Sequence, residues 1–464
     1  MEHGFEKQAG RNPFDLLAEN SGDCVSGMRQ EIGRICRDFR RRSPGSESER
    51  KAAEYMAGLL RDECGCTDLK VESFEEHPDS FYGYFYFSTI CDTLCAVFFF
   101  IRPWLSILFG CMGLFLFLFH FVMYRPVIDR LFPRRTGTNV TAVRPCSGEV
   151  RQRIFLNGHT DAAWEFPLNY RFGGIIFEIP GLMATAGVFF YLFLAACALG
   201  GAGDWVRTAG LWGLAFVPFF LLLSITYNPR RIVDGANDNL SGCMMGIGLL
   251  REMEKHGIRP EHTEIGVILT GSEEAGLRGA KAWCRAHRED YRDVPTSIIC
   301  YDTIYNSRWL MVNRKDLNAT VRSDEGLCNA FLQAAKAAGV PCRSGRVPLF
   351  GICLGHQLTA LAMGGKTVKL KFGHRGGNQP VTRLADGRTF ITSQNHGYAV
   401  LADSVAGVGI ESWRNANDGS CEGIDYPGRS CFTVQFHPEA HGGPQDTGFL
   451  FDRFRAMMGG EPDA

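Results

Sequence analysis

Four short polar segments of this chain carry side chains that could bind metal ions and activate water. In chain order they contribute His159 with Asp161, then Asp238, then the neighbours Glu273 and Glu274, and finally Asp302. Histidine and carboxylate groups are the ligands that hydrolytic zinc takes. A centre with two ions also needs a bridging carboxylate and an activated water. The residue types therefore predict hydrolysis at a two-metal centre.

Each of these residues also has a purely structural interpretation. His159 could be a hydrogen-bonded loop histidine, and Asp238 could cap a helix. The two glutamates could be solvated charges, and Asp302 could end a strand in a turn. Taken one at a time, the structural explanation is simpler. Their order along the chain favours the metal site.

A second group has the residue types needed for catalysis by a thiol. Cys353 lies between Gly351 and Gly355, in a segment that predicts a strand, a sharp turn and a helix. A helix that starts behind the cysteine is expected to lower the pKa of its thiol. Downstream, His437 and Glu439 supply a base and a carboxylate that orients it. A buried structural cysteine and a strand-end histidine are the alternative, and the combination favours catalysis.

Apolar strands and helices alternate around these residues. Residues 153–157, 264–270 and 297–301 predict buried parallel strands, and residues 241–255 and 276–287 predict helices between them. Residues 12–64 predict further helices with a break at 43–46. This alternation is typical of an α/β fold, in which ligands bind at the carboxyl ends of the strands.

Four apolar runs interrupt the alternation. They cover residues 84–101, 104–124, 181–199 and 209–227. Each is close to the length that a membrane-spanning helix requires, and short polar turns join them into two hairpins. We therefore expect transmembrane insertions at about 84–124 and 181–227. Four buried core helices are the alternative.

Basic residues cluster at one end of these hairpins. Those that follow the second and fourth runs are Arg125, Arg130, Arg134, Arg135, Arg230 and Arg231. The hairpin tips carry only Arg102 and Arg207. Because basic residues favour the cytoplasmic side, we expect a multi-pass membrane protein whose globular parts face the cytoplasm.

The composition bounds the remaining possibilities. The chain has 464 residues and a mean hydropathy of -0.08. Its net charge of -1 argues against a nucleic-acid partner. Its 17 cysteines include no paired CxxC motif, so a structural zinc ribbon is not expected. The polar N-terminal segment lacks the apolar core of a signal peptide.

From about residue 30 to 347 the chain resembles the co-catalytic zinc exopeptidases of the aminopeptidase Y and glutamate carboxypeptidase type. The resemblance rests on the four polar segments and on residues 42–46 with Glu49. It implies two zinc ions and the hydrolysis of an N-terminal peptide bond. The ligands that it implies are His159, Asp238 as the bridge, Glu274 and Asp302. It also implies that Glu273 is the general base and that Asp161 orients His159.

One ligand of that family has no counterpart. The family has a further histidine downstream of the position of Asp302, but the resemblance ends near residues 347–351. We therefore expect one zinc site to be incomplete. No spacing argument selects a replacement among the later histidines, which are His374, His396, His437 and His441.

From about residue 347 to 460 the chain resembles class I glutamine amidotransferases and, among them, the small chains of carbamoyl-phosphate synthases. The resemblance rests on the segment around Cys353, on 371–378, 392–398 and 444–446, and on the segment ending in Glu439. It implies that Cys353 attacks the glutamine amide, that His437 is the acid and base, and that Glu439 orients His437. The products would be glutamate and ammonia, for pyrimidine and arginine biosynthesis.

The resemblance also implies a glutamine-binding set and a partner. The positions that match glutamine contacts are Leu354, Gln357, Asn395, Gly397 and Tyr398. The partner would be the large chain of a carbamoyl-phosphate synthase. The upstream strands of that family and its glycine-rich oxyanion loop have no counterpart before residue 347, so one sheet edge should be exposed.

Together these observations predict an α/β chain with two incomplete hydrolase modules. Residues 1–347 would form a zinc-exopeptidase-like sheet with two inserted transmembrane hairpins, and residues 348–464 a partial class I glutamine amidotransferase domain. The expected partners are membrane lipid, a peptide substrate, glutamine and the synthase large chain, without nucleic acid. The alternative is a catalytically impaired membrane protein that arose by gene fusion or mis-assembly.

Overall fold

A computed structural model of the protein describes residues 15–304, 310–316, 321–345, 349–427, 431–440 and 447–458. The chain divides into two compact units, Met1–Leu310 and Met311–Ala464. His441 and residues 346–348 and 444–446 lie outside the described residues. The module boundary at 347/348 concerns sequence resemblance and stays a prediction.

A five-stranded mixed sheet in the order β1-β2-β6-β3-β7 forms the core of the first unit. Its strands are β1 (Asp68–Glu76), β2 (Arg135–Arg144), β3 (Gln152–His159), β6 (Thr263–Thr270) and β7 (Thr296–Cys300). Strands β4 (Trp164–Glu165) and β5 (Asn228–Ile232) form a separate two-stranded sheet. Strand β3 runs parallel to both β6 and β7, which confirms the three predicted parallel strands. The predicted burial of the third is wrong, because β7 is the outermost described strand and Ile298 is 40% exposed.

Helices pack on this sheet through their apolar faces. They are α1 (Asp15–Glu19), α2 (Ser21–Asp38), α3 (Glu47–Asp62), α10 (Ser241–Lys255) and α11 (Arg278–Ala286). The predicted break before α3 is its N-terminal cap, where the Ser46 side chain accepts the N–H of Glu49. Met56, Leu156 and Ile247 are fully or almost fully buried in the shared core. Each such side chain contributes about 1.5–3 kcal/mol.

Within the described part of the first unit, four helices are long and apolar enough to cross a membrane, by length and composition. The segments are α4 (Asp79–Phe99); α5 (Pro103–Phe115) with a π-helical extension, Leu116–Val122; α7 (Gly174–Leu199); and α8 (Trp205–Gly213), which continues through Leu214–Phe216 into α9 (Val217–Leu223). A short α6 (Pro167–Phe172) precedes α7. Helix α7 begins before the predicted 181, and α9 ends before the predicted 227. Trp212 is 81% exposed, so large apolar side chains point outward from these helices.

A six-stranded sheet in the order β10-β15-β14-β12-β11-β13 forms the second unit. Its strands are β10 (Leu349–Ile352), β11 (Thr367–Arg383), β12 (Thr389–Val400), β13 (Ile410–Asn415), β14 (Cys421–Tyr426) and β15 (Cys431–Val434). Strands β8 (Met311–Asn313) and β9 (Arg343–Gly345) form a separate two-stranded sheet. The helices are α12 (Glu325–Ala337), α13 (Leu354–Ala362) and α14 (Phe449–Met458). Among the described strands β10 lies at the sheet edge, and Leu349 is 46% exposed, which confirms the expected open edge.

Candidate hydrolase sites

His159 ends strand β3 inside a ring of carboxylates. Its Nδ1 lies 3.2 Å from Oδ1 of Asp161, and its Nε2 lies 3.0 Å from Oδ1 of Asp238. Burial opposes a charge on this imidazole, but the carboxylates of Asp161 and Asp238 outweigh burial and raise the pKa of His159 well above its ordinary value. The ring is therefore surrounded by negative charge.

Asp161 also organises the loop that follows β6. The N–H of Glu273 donates to its Oδ1 and the N–H of Glu274 to its Oδ2, each at 3.0 Å. The side chain of Asp161 is fully buried. One carboxylate therefore fixes the imidazole of His159 and the backbone of both glutamates.

Three predicted ligands come together from three separate segments. One ligand atom from each of His159, Asp238 and Glu274 lies within 4.8 Å of the other two. Asp302 follows β7 at the same edge of the sheet but, within the part of the chain that the structure describes, does not join this group. Burial raises the pKa of Asp302, and the carboxylate of Asp238 adds to the shift. An imidazole among partly buried carboxylates is a donor set that suits zinc, so the residues present fit a metal ion.

Glu273 lies beside these ligand atoms. Its Oε2 is 3.8 Å from Nε2 of His159. Burial raises the pKa of Glu273 to about 7; the imidazole of His159 opposes this shift, and the carboxylate of Asp161 adds to it. A carboxyl group with a pKa near 7 can both accept and return a proton at neutral pH.

Arg42, part of the segment at residues 42–46 that resembles the exopeptidase family, is a buried residue next to the site. The side chain is 1% exposed. Its Nε donates to the carbonyl of Thr160 at 3.1 Å, and its Nη2 donates to the carbonyl of Asp234 at 2.6 Å. Arg42 therefore ties together the segments that carry the two central ligands.

Two buried acids support the glutamate loop from behind. Oε1 of Glu49 accepts the N–H of Ser272 at 2.8 Å, and Oε1 of Glu76 accepts the hydroxyl of Ser272 at 2.5 Å. Burial raises the pKa of Glu76 to about 7 and that of Glu49 well above its ordinary value. Glu76 was missed by sequence reasoning, because an acid at the end of a strand carries no signal of burial.

The later histidines that were considered as a further ligand lie in the second unit. His374 contacts Asp418 and Glu422, His396 contacts Gln394 and the carbonyl of Tyr398, and His437 contacts Glu439. Within the described residues, no second histidine joins the group around His159. The incomplete zinc site stays a prediction.

Cys353 forms the turn between β10 and α13. Its φ of 49° lies in a region that residues other than glycine rarely adopt. Gly351 is required nearby, because a Cβ there would lie 2.8 Å from the side chain of Thr433 and 2.9 Å from the backbone of Gly355. This strained strand-to-helix turn is the geometry of a nucleophile elbow.

The expected lowering of the thiol pKa is wrong. Burial raises the pKa of Cys353 above its ordinary value of 9.0, and the carboxylate of Glu439 adds to the shift. The N–H of Leu354 and the side chain of Gln435 act in the opposite direction without outweighing burial. Desolvation therefore exceeds the effect of the helix start, and the thiol needs a base.

Strands β10 and β15, which precede the predicted nucleophile and the predicted base, pair with each other. The two strands are parallel, and the N–H of Cys353 donates to the carbonyl of Val434 at 2.9 Å. His437 follows the end of β15, and its Nδ1 lies 2.7 Å from Oε1 of Glu439. The predicted nucleophile and the predicted base therefore follow neighbouring strands of the sheet.

Gln357 connects the elbow helix to the predicted glutamine contacts on β12. Its Nε2 donates to the carbonyl of Tyr398 and to Oε1 of Gln435, both at 3.0 Å. The remaining predicted contacts are the exposed Leu354 and Asn395 and the half-buried Gly397. Gln435, which lies against the thiol of Cys353, was missed as a site residue, because its position inside a strand motif predicts only sheet structure.

A buried carboxylate supports β12 from the neighbouring strand. Glu422 is fully buried and accepts the side-chain amides of Gln394 at 3.0 Å and Asn415 at 3.1 Å. Nδ1 of His374 lies 3.2 Å from the same carboxylate. Hydrogen bonding to Glu422, with help from Asp418, raises the pKa of His374 to about 9.

We expect the second unit to lose stability as the pH rises from about 6.5, the ordinary value for histidine, to about 9. Because the pKa of His374 is higher in the folded than in the unfolded state, its ion pair contributes its full stabilisation below the unfolded-state pKa. This stabilisation is lost as the pH rises through the folded-state pKa. Hydrogen exchange of β12 and β14, corrected for intrinsic rates, measures this loss. His374→Gln should remove the pH dependence, and an unchanged dependence in the variant would contradict the prediction.

Family models match two adjacent segments of the chain. "Peptidase family M28" matches residues 223–328, and "Glutamine amidotransferase class-I" matches residues 329–457. The chain joins an M28 peptidase part to a class-I glutamine amidotransferase part. The M28 match includes Asp238 and both glutamates, whereas His159 and Asp161 precede it and reach the site through β3. The amidotransferase match includes Cys353.

The amidotransferase part is similar to "Carbamoyl phosphate synthase small chain" proteins. The one from Syntrophotalea carbinolica is 55% identical over 114 residues, 25% of this chain and 30% of the relative. The one from Fusobacterium nucleatum is 59% identical over 110 residues, 24% and 31% of the two chains. This chain therefore spans less than a third of the length of these relatives. A glutaminyl cyclase from an Acidobacteriales bacterium has a TM-score of 0.37 and 12% identity, over 74% of this chain and 76% of that chain.

Proposed function

We propose that the M28 part is a zinc-dependent hydrolase of the aminopeptidase type. The proposal is carried by the meeting of His159, Asp238 and Glu274 within 4.8 Å, with Glu273 beside them. We propose one tightly held zinc ion and a second, more weakly held ion, because the further histidine ligand has no counterpart. Asp302 would serve the second ion.

The protein's own groups would divide the reaction between binding and proton transfer. Bound zinc supplies Lewis acidity and lowers the pKa of a water molecule. Asp161 holds His159 in place, and its two hydrogen bonds fix the backbone of the glutamates. Glu273 would take a proton from the attacking water and return it to the leaving amine.

We propose that the four apolar helices span a membrane and that the globular parts face the cytoplasm. The length and composition of the helices support the first statement. The six arginines that follow the second and fourth apolar runs support the second. Membrane lipid would therefore surround α4, α5, α7 and the segment from α8 to α9.

The metal proposal is tested with the full-length protein in detergent. We expect chelation to abolish the hydrolysis of aminoacyl chromogenic substrates and zinc to restore it. His159→Ala should lose both zinc and activity, whereas the control His262→Ala, at a partly exposed position, should keep both. Wild-type protein that binds no zinc, or that keeps full activity after its removal, would contradict the proposal.

A second activity is favoured by the elbow at Cys353 and by the similarity to the synthase small chains. We propose that the amidotransferase part hydrolyses glutamine to glutamate and ammonia and docks on a carbamoyl-phosphate synthase large chain. The missing upstream segments predict a slow reaction, because removing one oxyanion donor typically costs about 10²–10³ in rate. If neither activity is measurable in the purified protein, the impaired membrane protein becomes the better description.

A further inference from the structure

The loop that carries Glu273 and Glu274 is also fixed on the side facing the first apolar hairpin. Arg278, the first residue of α11, makes a two-pronged ion pair with Asp129, at 2.8 and 2.9 Å. Its Nε donates to the carbonyl of Ala275 at 3.0 Å. The side chains of the pair are 11% and 12% exposed. The carbonyl that follows Glu274 is therefore held by a guanidinium that is itself anchored.

The start of α4 takes part in the same contact. Oγ of Ser80 lies 2.7 Å from Oδ1 of Asp129 and 3.3 Å from Nη2 of Arg278. The next residue, Phe81, packs against the loop so closely that a Cβ on Gly276 would lie 2.8 Å from its ring. Both ends of the first hairpin therefore reach the loop: Phe81 at its start packs against Gly276, and Ser80 and Asp129 reach the loop through Arg278.

Lys281 makes a second link between the glutamate loop and the first hairpin. Its Nζ donates to the carbonyl of Gly276 at 3.1 Å and to the carbonyl of Tyr124 at 2.7 Å. Tyr124 follows the π-helical end of the α5 segment. The loop is thus held between Asp161, Glu49 and Glu76 on one side and the hairpin ends on the other.

We infer that Arg278, Asp129 and Ser80 position Glu274, so that the ends of the first apolar hairpin set the metal affinity of the M28 site. This inference rests on the proposed metal binding. Hydrogen bonds between charged groups are among the stronger ones, and partners just outside a ligand set typically change metal affinity by about 10–100-fold. Asp129 lies outside the segment that the M28 model matches. The inserted hairpin is therefore part of the site's support as well as a membrane anchor.

Cobalt(II) titration of the full-length protein in detergent, followed by visible absorption, tests this inference. We expect Asp129→Asn and Arg278→Lys each to weaken Co²⁺ binding by about 10–100-fold and to change the absorption band of the bound ion. The matched controls are Arg130→Gln, next to Asp129, and Arg285→Gln, on the same helix as Arg278; both positions are exposed. The controls should bind like the wild type.

The double variant tests whether the two residues act as a pair. If they do, Arg278→Lys adds little to the loss already caused by Asp129→Asn, whereas fully additive losses overturn the pairing. Equal Co²⁺ affinity in the wild type and both single variants overturns the positioning role. Should Asp129→Asn fail to fold, the Co²⁺ affinities of Arg278→Lys and Lys281→Met test the positioning role instead. Wild-type protein that binds Co²⁺ but cleaves no peptide contradicts the proposed peptidase function, whereas weaker Co²⁺ binding by the variants would still support the positioning role.

Discussion

Glu273→Gln is expected to lower the rate of peptide hydrolysis by about 10²–10⁴-fold, the usual contribution of a general base. The amide of glutamine cannot accept the proton of the attacking water, although it has nearly the same shape as the carboxylate. Zinc content should stay unchanged, because the predicted ligands are His159, Asp238, Glu274 and Asp302. The measurement is kcat for an aminoacyl substrate together with zinc per chain by atomic emission.

Two matched variants separate this role from a general loss of charge. Glu289→Gln, at a side chain that is 68% exposed, should leave both rate and zinc unchanged. Glu274→Gln should lower the zinc content, because this change removes a ligand. If Glu273→Gln kept more than a tenth of the wild-type rate, Glu273 would not be the base.

Cys353→Ser is expected to lower the rate of glutamine hydrolysis by at least about 10³-fold, because the thiol is the predicted nucleophile of the elbow. The wild-type rate should itself be low. The N–H of Leu354 lies at the thiol and would be one oxyanion donor, and the loop that would supply the second has no counterpart. Ammonia release, followed enzymatically in full-length protein, measures both rates.

Covalent labelling gives a second readout that does not require turnover. An electrophilic glutamine analogue should modify Cys353, and the modified peptide can be identified by mass spectrometry. Cys284→Ser, at an exposed thiol on α11, is the control that should change neither turnover nor labelling. Labelling that persists unchanged in Cys353→Ser would show that another thiol reacts.

The regular elements were predictable because their signals are local. Helix α10 begins and ends at the predicted residues, since apolar side chains recur at helical spacing from Ser241 to Lys255. The apolar hairpins follow from composition and length alone. The exposure of β7 could not be predicted, because a strand's burial depends on whether another element covers its outer edge.

The site was predictable only where motifs mark it. His159 and the two glutamates lie in recognisable segments, but Glu76 reaches Ser272 across 196 residues of sequence. The pKa of Cys353 shows a second limit. Sequence indicates the helix that follows the thiol but not how much water folding removes around it, and here desolvation has the larger effect.

The pairing of β10 with β15 bears on how such a chain could originate. The predicted nucleophile follows one of these strands, and the predicted base with its carboxylate follows the other, although the two strands are far apart in sequence. All the strands that the structure describes between them along the chain belong to the same sheet. A DNA break upstream of residue 349 would therefore leave Cys353, His437 and Glu439 on the same side of the break. Gene rearrangement at this point would therefore move the predicted nucleophile, base and carboxylate together, although without the loop expected to supply a second oxyanion donor.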